Sequence, residues 1–191
     1  MGRPRQFSEE RAVDAAMRVF WSQGYEATST QDLCVATGLG RSSIYNTFHS
    51  KHDLFTLALE HYTRMTGELL TTLVGGEEPG RDRIRALLDD CVESAVEGGR
   101  DGCFGVNSSI ELGPRDPAID EHLRRNTEWR VQVIKAVVEE GQRDGSVHPG
   151  RDALSASRFV FANIGAIRMR ARSGAERAEL ESIADMAMCA L

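Results

Sequence analysis

The stretch Thr28-Ser29-Thr30-Gln31-Asp32-Leu33-Cys34-Val35-Ala36-Thr37-Gly38-Leu39-Gly40-Arg41-Ser42-Ser43-Ile44-Tyr45-Asn46-Thr47-Phe48 decides the fold. Ser29 precedes Asp32 at the spacing of a reciprocal N-cap, and Gly38 supplies the left-handed stop that ends a helix after barely two turns. Beyond Leu39 and Gly40 a second short helix runs from Arg41 to Phe48, with Ile44 and Phe48 one turn apart and facing inward. Two short helices joined by a tight, glycine-containing turn make a helix-turn-helix.

Helical periodicity continues on both sides. The spacing predicts a first helix N-capped by Ser8, with Glu9 and Glu10 at the positive end of its dipole. Its apolar face is Val13, Ala16, Met17 and Phe20, and Gly24 ends it. Ser50 and Asp53 cap a fourth helix whose inward face reads Leu54, Leu57, Ala58, His61 and Met65. After Gly75-Gly76-Glu77-Glu78-Pro79-Gly80, further helices are expected over 83–97, 103–112, 117–143, 152–172 and 176–191. They are separated by Gly98-Gly99, Gly113-Pro114, Gly145 with Pro149-Gly150, and Ser173-Gly174. The expected fold is all-α, with about nine helices. Residues 1–52 form a three-helix headpiece and residues 53–191 a helical body.

The chain has 191 residues, 41% of them hydrophobic, which is enough for a real core. Its longest uncharged apolar stretch is too short to span a bilayer and its first residues lack a signal-peptide segment, so a cytoplasmic protein is expected. Cys34, Cys91, Cys103 and Cys189 are scattered without metal-site spacing, so reduced thiols and no metal are expected. His49 and His52 have no third ligand nearby, and no G-x-S-x-G supports nucleophilic catalysis, so neither an enzyme nor a cofactor is expected. Residues 1–55 carry six basic and six acidic side chains, so the whole net charge of −6 belongs to the rest of the body, residues 56–191. Any nucleic acid must therefore meet the N-terminal end.

A helix lying in a major groove about 12 Å wide must bury one stripe and present small or hydrogen-bonding groups on the other. Arg41, Ser42, Ser43, Tyr45, Asn46 and Thr47 supply that second face. Arginine pairs bidentately with guanine, asparagine with adenine, and hydroxyls hold phosphates or base edges. Ser29, Thr30, His49 and Lys51 flank this face as further candidate contacts. Arg3 and Arg5 in Gly2-Arg3-Pro4-Arg5 suit either a minor-groove arm or an ordinary frayed terminus.

With Gly38-Leu39-Gly40-Arg41-Ser42-Ser43-Ile44-Tyr45-Asn46-Thr47-Phe48-His49-Ser50-Lys51-His52-Asp53-Leu54-Phe55 following Thr28–Leu33, the segment resembles the headpiece of the tetracycline-repressor (TetR) family. The resemblance covers about residues 8–60. It implies that Tyr45 and Lys51 touch phosphates and that the start of the fourth helix offers backbone N–H groups to the same anions. It further implies a small-molecule effector inside the body, while a homodimer on operator DNA is expected because one headpiece makes too few contacts for specific binding and two must sit about 34–36 Å apart. Gly40 departs from the family's usual capping serine, and Asn46 from its usual aromatic or histidine, so no operator sequence carries over.

Within the body, Phe104, Asn107, Glu111, Trp129, Phe161 and Arg168 mix apolar, aromatic and polar groups in the way an effector pocket needs, with ordinary core as the rival role. Small residues Ala162, Gly165, Ala166, Ala184 and Ala187 beside Phe161, Ile164, Leu180, Ile183 and Leu191 suit a dimer seam built from the last two helices. Cys103, at an expected helix start, supports an alternative in which the same scaffold senses oxidants through a thiol.

Overall fold

Local hydrogen bonds set most helix boundaries. In the computed structural model, which describes the backbone of residues 3–98 and 101–191 and the side chains of 9–98 and 101–191, Ser29 opens α2 (Thr30–Thr37) with a complete capping box. Its Oγ accepts the Asp32 N–H at 3.2 Å while the Asp32 carboxylate accepts the Ser29 N–H at 2.8 Å. Gly38, at φ 69°, ends α2 by donating to the Cys34 carbonyl. Gly40 precedes α3 (Arg41–Phe48) without a side-chain cap, and Ser50 Oγ accepts the Asp53 N–H at 2.9 Å to open α4 (Lys51–Val74). Nine helices run through the described residues, the others being α1 (Arg3–Gln23), α5 (Gly80–Glu97), α6 (Phe104–Glu111), α7 (Pro117–Asp144), α8 (Ala153–Arg172) and α9 (Arg177–Met188). No helix among them is long and apolar enough to cross a membrane.

Two local expectations need correction. Helix α1 begins at Arg3 rather than after Ser8. Pro4 falls in its first turn, where N–H groups have no intrahelical partner and a fixed φ costs nothing, so the helix continues back past the serine. The Arg3 and Arg5 side chains, and the Ser8 hydroxyl, lie outside the described residues. On α4, Leu57 and Met65 face solvent, while Leu54, Phe55, Ala58, Leu59 and Tyr62 are buried. The helix is apolar on more than one side, and the large rings of Phe55 and Tyr62 win the interior because each buries more surface than the aliphatic alternatives.

Contacts divide the chain into two compact units. Unit 1 comprises Met1–Met65 and Phe104–Glu121. Its core joins Met17 and Phe20 of α1, Leu33 of α2, Ile44 and Phe48 of α3 and the buried face of α4. An aromatic cluster lies within it: Phe55 meets Phe20 at 5.1 Å, Tyr25 at 5.0 Å and Phe104 at 5.6 Å, all edge to face.

Unit 2 comprises Thr66–Cys103 and His122–Leu191. Its core collects Ile84, Leu88 and Val92 of α5, Ile134 and Val138 of α7, Val160 and Ile167 of α8, and Leu180 and Ala184 of α9. Leu180, Ala184, Ala187 and Leu191, expected in a seam between copies, are buried in this core instead. What α8 and α9 leave exposed is Phe159 at 48%, Met169 at 57% and Met186 at 65%, with Ala162 between the first two. Arg177 pairs with both carboxylate oxygens of Glu93, at 2.7 and 3.0 Å, tying α9 to α5 at the surface.

Helices α5 and α7 touch through glycines. A Cβ on Gly80 would sit 2.6 Å from the Gly141 backbone and from the Val137 carbonyl. Both obstacles are helix backbone, which cannot yield as a side chain can. Gly80→Ala is therefore expected to cost about 2–3 kcal/mol, measured by urea denaturation, whereas Gly40→Ala, which meets nothing within 4 Å, stays within about 1 kcal/mol of the parent.

Candidate nucleic-acid interface

Helix α3 is too short to persist alone, and its two buried side chains, Ile44 and Phe48, fix both its position and its rotation. Arg41, Ser42, Ser43 and Asn46 consequently face solvent, with Tyr45 and Thr47 half-buried beside them. The Tyr45 hydroxyl lies 3.1 Å from Thr30 Oγ1, linking α3 to the first turn of α2. That hydrogen bond, assisted by the charge of Arg41, lowers the Tyr45 pKa from its ordinary value. The Arg41 guanidinium stacks 5.7 Å from the same ring. Ser29 is exposed, but its hydroxyl is engaged with Asp32, whose pKa it lowers.

Between α3 and α4 the backbone turns through a strained residue. His49 has φ 61° and ψ −48°, the sole positive φ outside glycine among the described residues. The Ser50 N–H donates to the Phe48 carbonyl at 2.7 Å across it, closing a three-residue γ-turn of the rare positive-φ kind. The turn leaves the imidazole exposed. A non-glycine residue held in such a conformation costs about 1–3 kcal/mol. Nothing in the sequence signals the turn, because histidine is not a turn-former.

Lys51 follows at the start of α4, its Nζ 4.5 Å from the centroid of the Tyr25 ring. The cation is thus held on an aromatic face rather than swinging freely. Of the first-turn amides of α4, that of Asp53 is already taken by Ser50 Oγ, which narrows the N–H groups open to an anion there.

Two residues expected in the pocket brace this end of the molecule. The Glu111 carboxylate, at the last residue of α6, accepts the Tyr25 N–H at 2.9 Å and the Glu26 N–H at 2.8 Å, clasping the turn between α1 and α2. Phe104 is buried among Trp21, Phe55 and Tyr62. Asn107 is half-buried on the same helix, α6. Just beyond it Asp116 meets His52 Nε2 at 2.5 Å, and that bond holds its carboxyl below the usual aspartate range. Sequence reasoning missed Tyr25 altogether, although an aromatic directly after the helix-ending Gly24 is a signal of sorts.

A small cavity, partly open to solvent, lies within unit 2. Phe161 and Arg168 line it, together with Leu70, Leu87, Cys91, Arg130 and Ile134. Trp129 is not among its lining residues; its indole lies over Gly67, where a Cβ would approach the ring to 3.2 Å. Cys103 is half-buried immediately before α6.

His49→Gly is expected to raise folding stability by about 0.5–1 kcal/mol in urea denaturation, the relieved strain exceeding the added chain entropy, while His49→Ile lowers it. Glu111→Ala removes the acceptor for two amides. Amide exchange at Tyr25 and Glu26 should accelerate roughly tenfold or more, and protection equal to that of the parent would show the clasp to be idle.

The chain matches two family models, described as bacterial regulatory proteins of the tetR family over residues 12–58 and as the tetracyclin repressor-like C-terminal domain over residues 80–186. It is 29% identical over 187 residues to the HTH-type transcriptional repressor ComR of Escherichia coli, covering 96% of this chain and 88% of that one. It is 33% identical over 132 residues to the HTH-type transcriptional regulator YezE of Bacillus subtilis, covering 66% of each. Among solved structures, a TetR transcriptional regulator from Chloroflexus aurantiacus is similar at 28% identity with a TM-score of 0.88, over 98% of this chain and 95% of that one. A cysteine mutant of the regulator CifR, complexed with 26-base-pair operator DNA, shares the fold with a TM-score of 0.81 at 24% identity, over 97% and 95% of the two chains. With one model on the helix-turn-helix and the other on more than half of its length, the chain belongs to the TetR family of bacterial regulatory proteins.

Proposed function

We propose that this chain is a ligand-responsive transcriptional repressor that binds a pseudo-palindromic operator as a homodimer and releases it when a small effector enters the body. The observation that carries this reading is the open polar face of α3, set opposite its two buried anchors. Arg41 and Asn46 are the base-reading groups. Tyr45, Thr30, His49 and Lys51 hold phosphates, while Ser42, Ser43 and Thr47 fill the groove between them. Operator DNA in the complex of CifR, which has the same fold, supports that placement.

Dimerisation rests on two considerations. One headpiece makes too few contacts for specific binding, and two must sit about 34–36 Å apart to enter successive major grooves. Phe159, Ala162 and Met169 on α8 and Met186 on α9 leave an apolar surface whose natural cover is its own copy. The effector acts through linkage. If it prefers a body conformation in which the two headpieces are wrongly spaced, it weakens DNA binding by about 1–3 kcal/mol, and DNA weakens effector binding equally.

The test is fluorescence anisotropy with the DNA flanking the gene itself, titrated between 50 and 200 mM salt, where each phosphate contact adds about 0.9 to the log–log slope. Lys51→Ala should weaken binding across all sequences and flatten that slope, whereas Tyr45→Phe, which removes no charge, should weaken binding with the slope unchanged. Asn46→Ala should instead reduce discrimination between operator and unrelated DNA. No salt-dependent binding to any flanking DNA would sink the proposal.

A further inference from the structure

The cavity of unit 2 carries a chemical signature of its own. Its wall is branched and aliphatic, Leu70, Leu87, Ile134 and Ile164 among others, and Phe161 is its one ring. Set into that wall are two guanidinium groups, Arg130 and Arg168, against a single carboxylate, Asp90, so the formal charge lining the cavity is +1. Within residues 56–191, whose net charge is −6, the cavity is a local inversion of sign.

The two arginines are placed rather than loose. Arg130 is held across to α4, its Nη2 donating to Thr66 Oγ1 at 2.5 Å, and its Nε donates to Asn126 Oδ1 at 2.7 Å. Arg168 on α8 has its Nε sealed from solvent. A guanidinium already oriented at an apolar wall loses little freedom on meeting a carboxylate, and the fork geometry of the two groups matches.

We infer that the cavity takes a small aliphatic monocarboxylate, bound non-covalently, with its headgroup against Arg168 and Arg130 and its tail along Leu70, Leu87 and Ile134. The inference deepens the proposed regulation, because this ligand would be the effector of that scheme. An amine would meet net repulsion. A second carboxylate would meet Asp90.

Cys91, which also lines the cavity, decides against an electrophile. Its Sγ is buried, 3.7 Å from the Ile164 carbonyl, and burial pushes the thiol pKa up despite the opposing charge of Arg168. A neutral buried thiol is a poor nucleophile.

The test uses the full-length protein and three probes of equal length, octanoate, octanamide and octylamine, titrated by calorimetry with DNA anisotropy in the same buffer. Octanoate should bind at least roughly tenfold tighter than octylamine. Arg168→Gln should weaken octanoate roughly tenfold or more while leaving octanamide unchanged. If Arg168→Gln fails to fold by circular dichroism, Arg130→Gln serves in its place.

Octylamine binding as tightly as octanoate, or octanoate binding insensitive to both arginine substitutions, overturns the inference. So does operator release by another compound when octanoate does not bind, an outcome that leaves the repressor reading standing. Octanoate bound through the arginines without any effect on DNA upholds the site and overturns the regulatory reading instead.

Discussion

The proposed DNA-reading face depends on how little of α3 is apolar. Ile44 and Phe48, one turn apart, are the two side chains that this helix buries, each contributing about 1.5–3 kcal/mol. An eight-residue helix cannot persist without them. Because they occupy one narrow stripe, every other position is released for hydrogen-bonding groups, and the rotation of the helix is fixed as firmly as its position. The Thr30–Tyr45 bond then ties the middle of α3 to α2, and the turn at His49 leads its last residue into the start of α4.

That arrangement needs its neighbours kept in register, and α6 supplies part of the restraint. Glu111 satisfies two backbone amides where α1 gives way to α2, just after Gly24 takes φ 86°. Asp116 holds His52 on the first turn of α4, and Phe104 completes the aromatic cluster around Phe55. Carboxylates and a ring that look, from their mixture along the chain, like parts of a binding pocket serve here as a brace. Charged hydrogen bonds to backbone amides are worth more than neutral ones, which suits them to a turn with few apolar contacts.

Unit 2 is organised by close approach. Gly80 and Gly141 let α5 and α7 meet at backbone distance, and Arg83, buried beneath them, donates to the Val74 carbonyl and to Glu140. The small residues of α9, Ala184 and Ala187, are buried inside the subunit, while Phe159, Met169 and Met186 stay exposed. Arg130 and Arg168, both half-buried, line the cavity beside a wall of leucine and isoleucine.

The sequence by itself determined the all-α class, the start of α2, the helix-ending glycines and the polar face of α3. Each of these is local: a cap needs residues three apart, a left-handed stop needs one glycine, and a two-anchor helix has only one way to turn. Tertiary structure alone decided what depends on partners distant in the chain. It chose Phe55 and Tyr62 over Leu57 and Met65 for the buried side of α4, turned Leu180 and Ala184 inward, gave Glu111 to the α1–α2 turn, and gathered Arg130, Arg168 and Cys91 around one cavity. The physical reason is that periodicity reports that a helix has an apolar side, whereas which side is buried, and against what, depends on the competing surfaces that the rest of the chain brings to it.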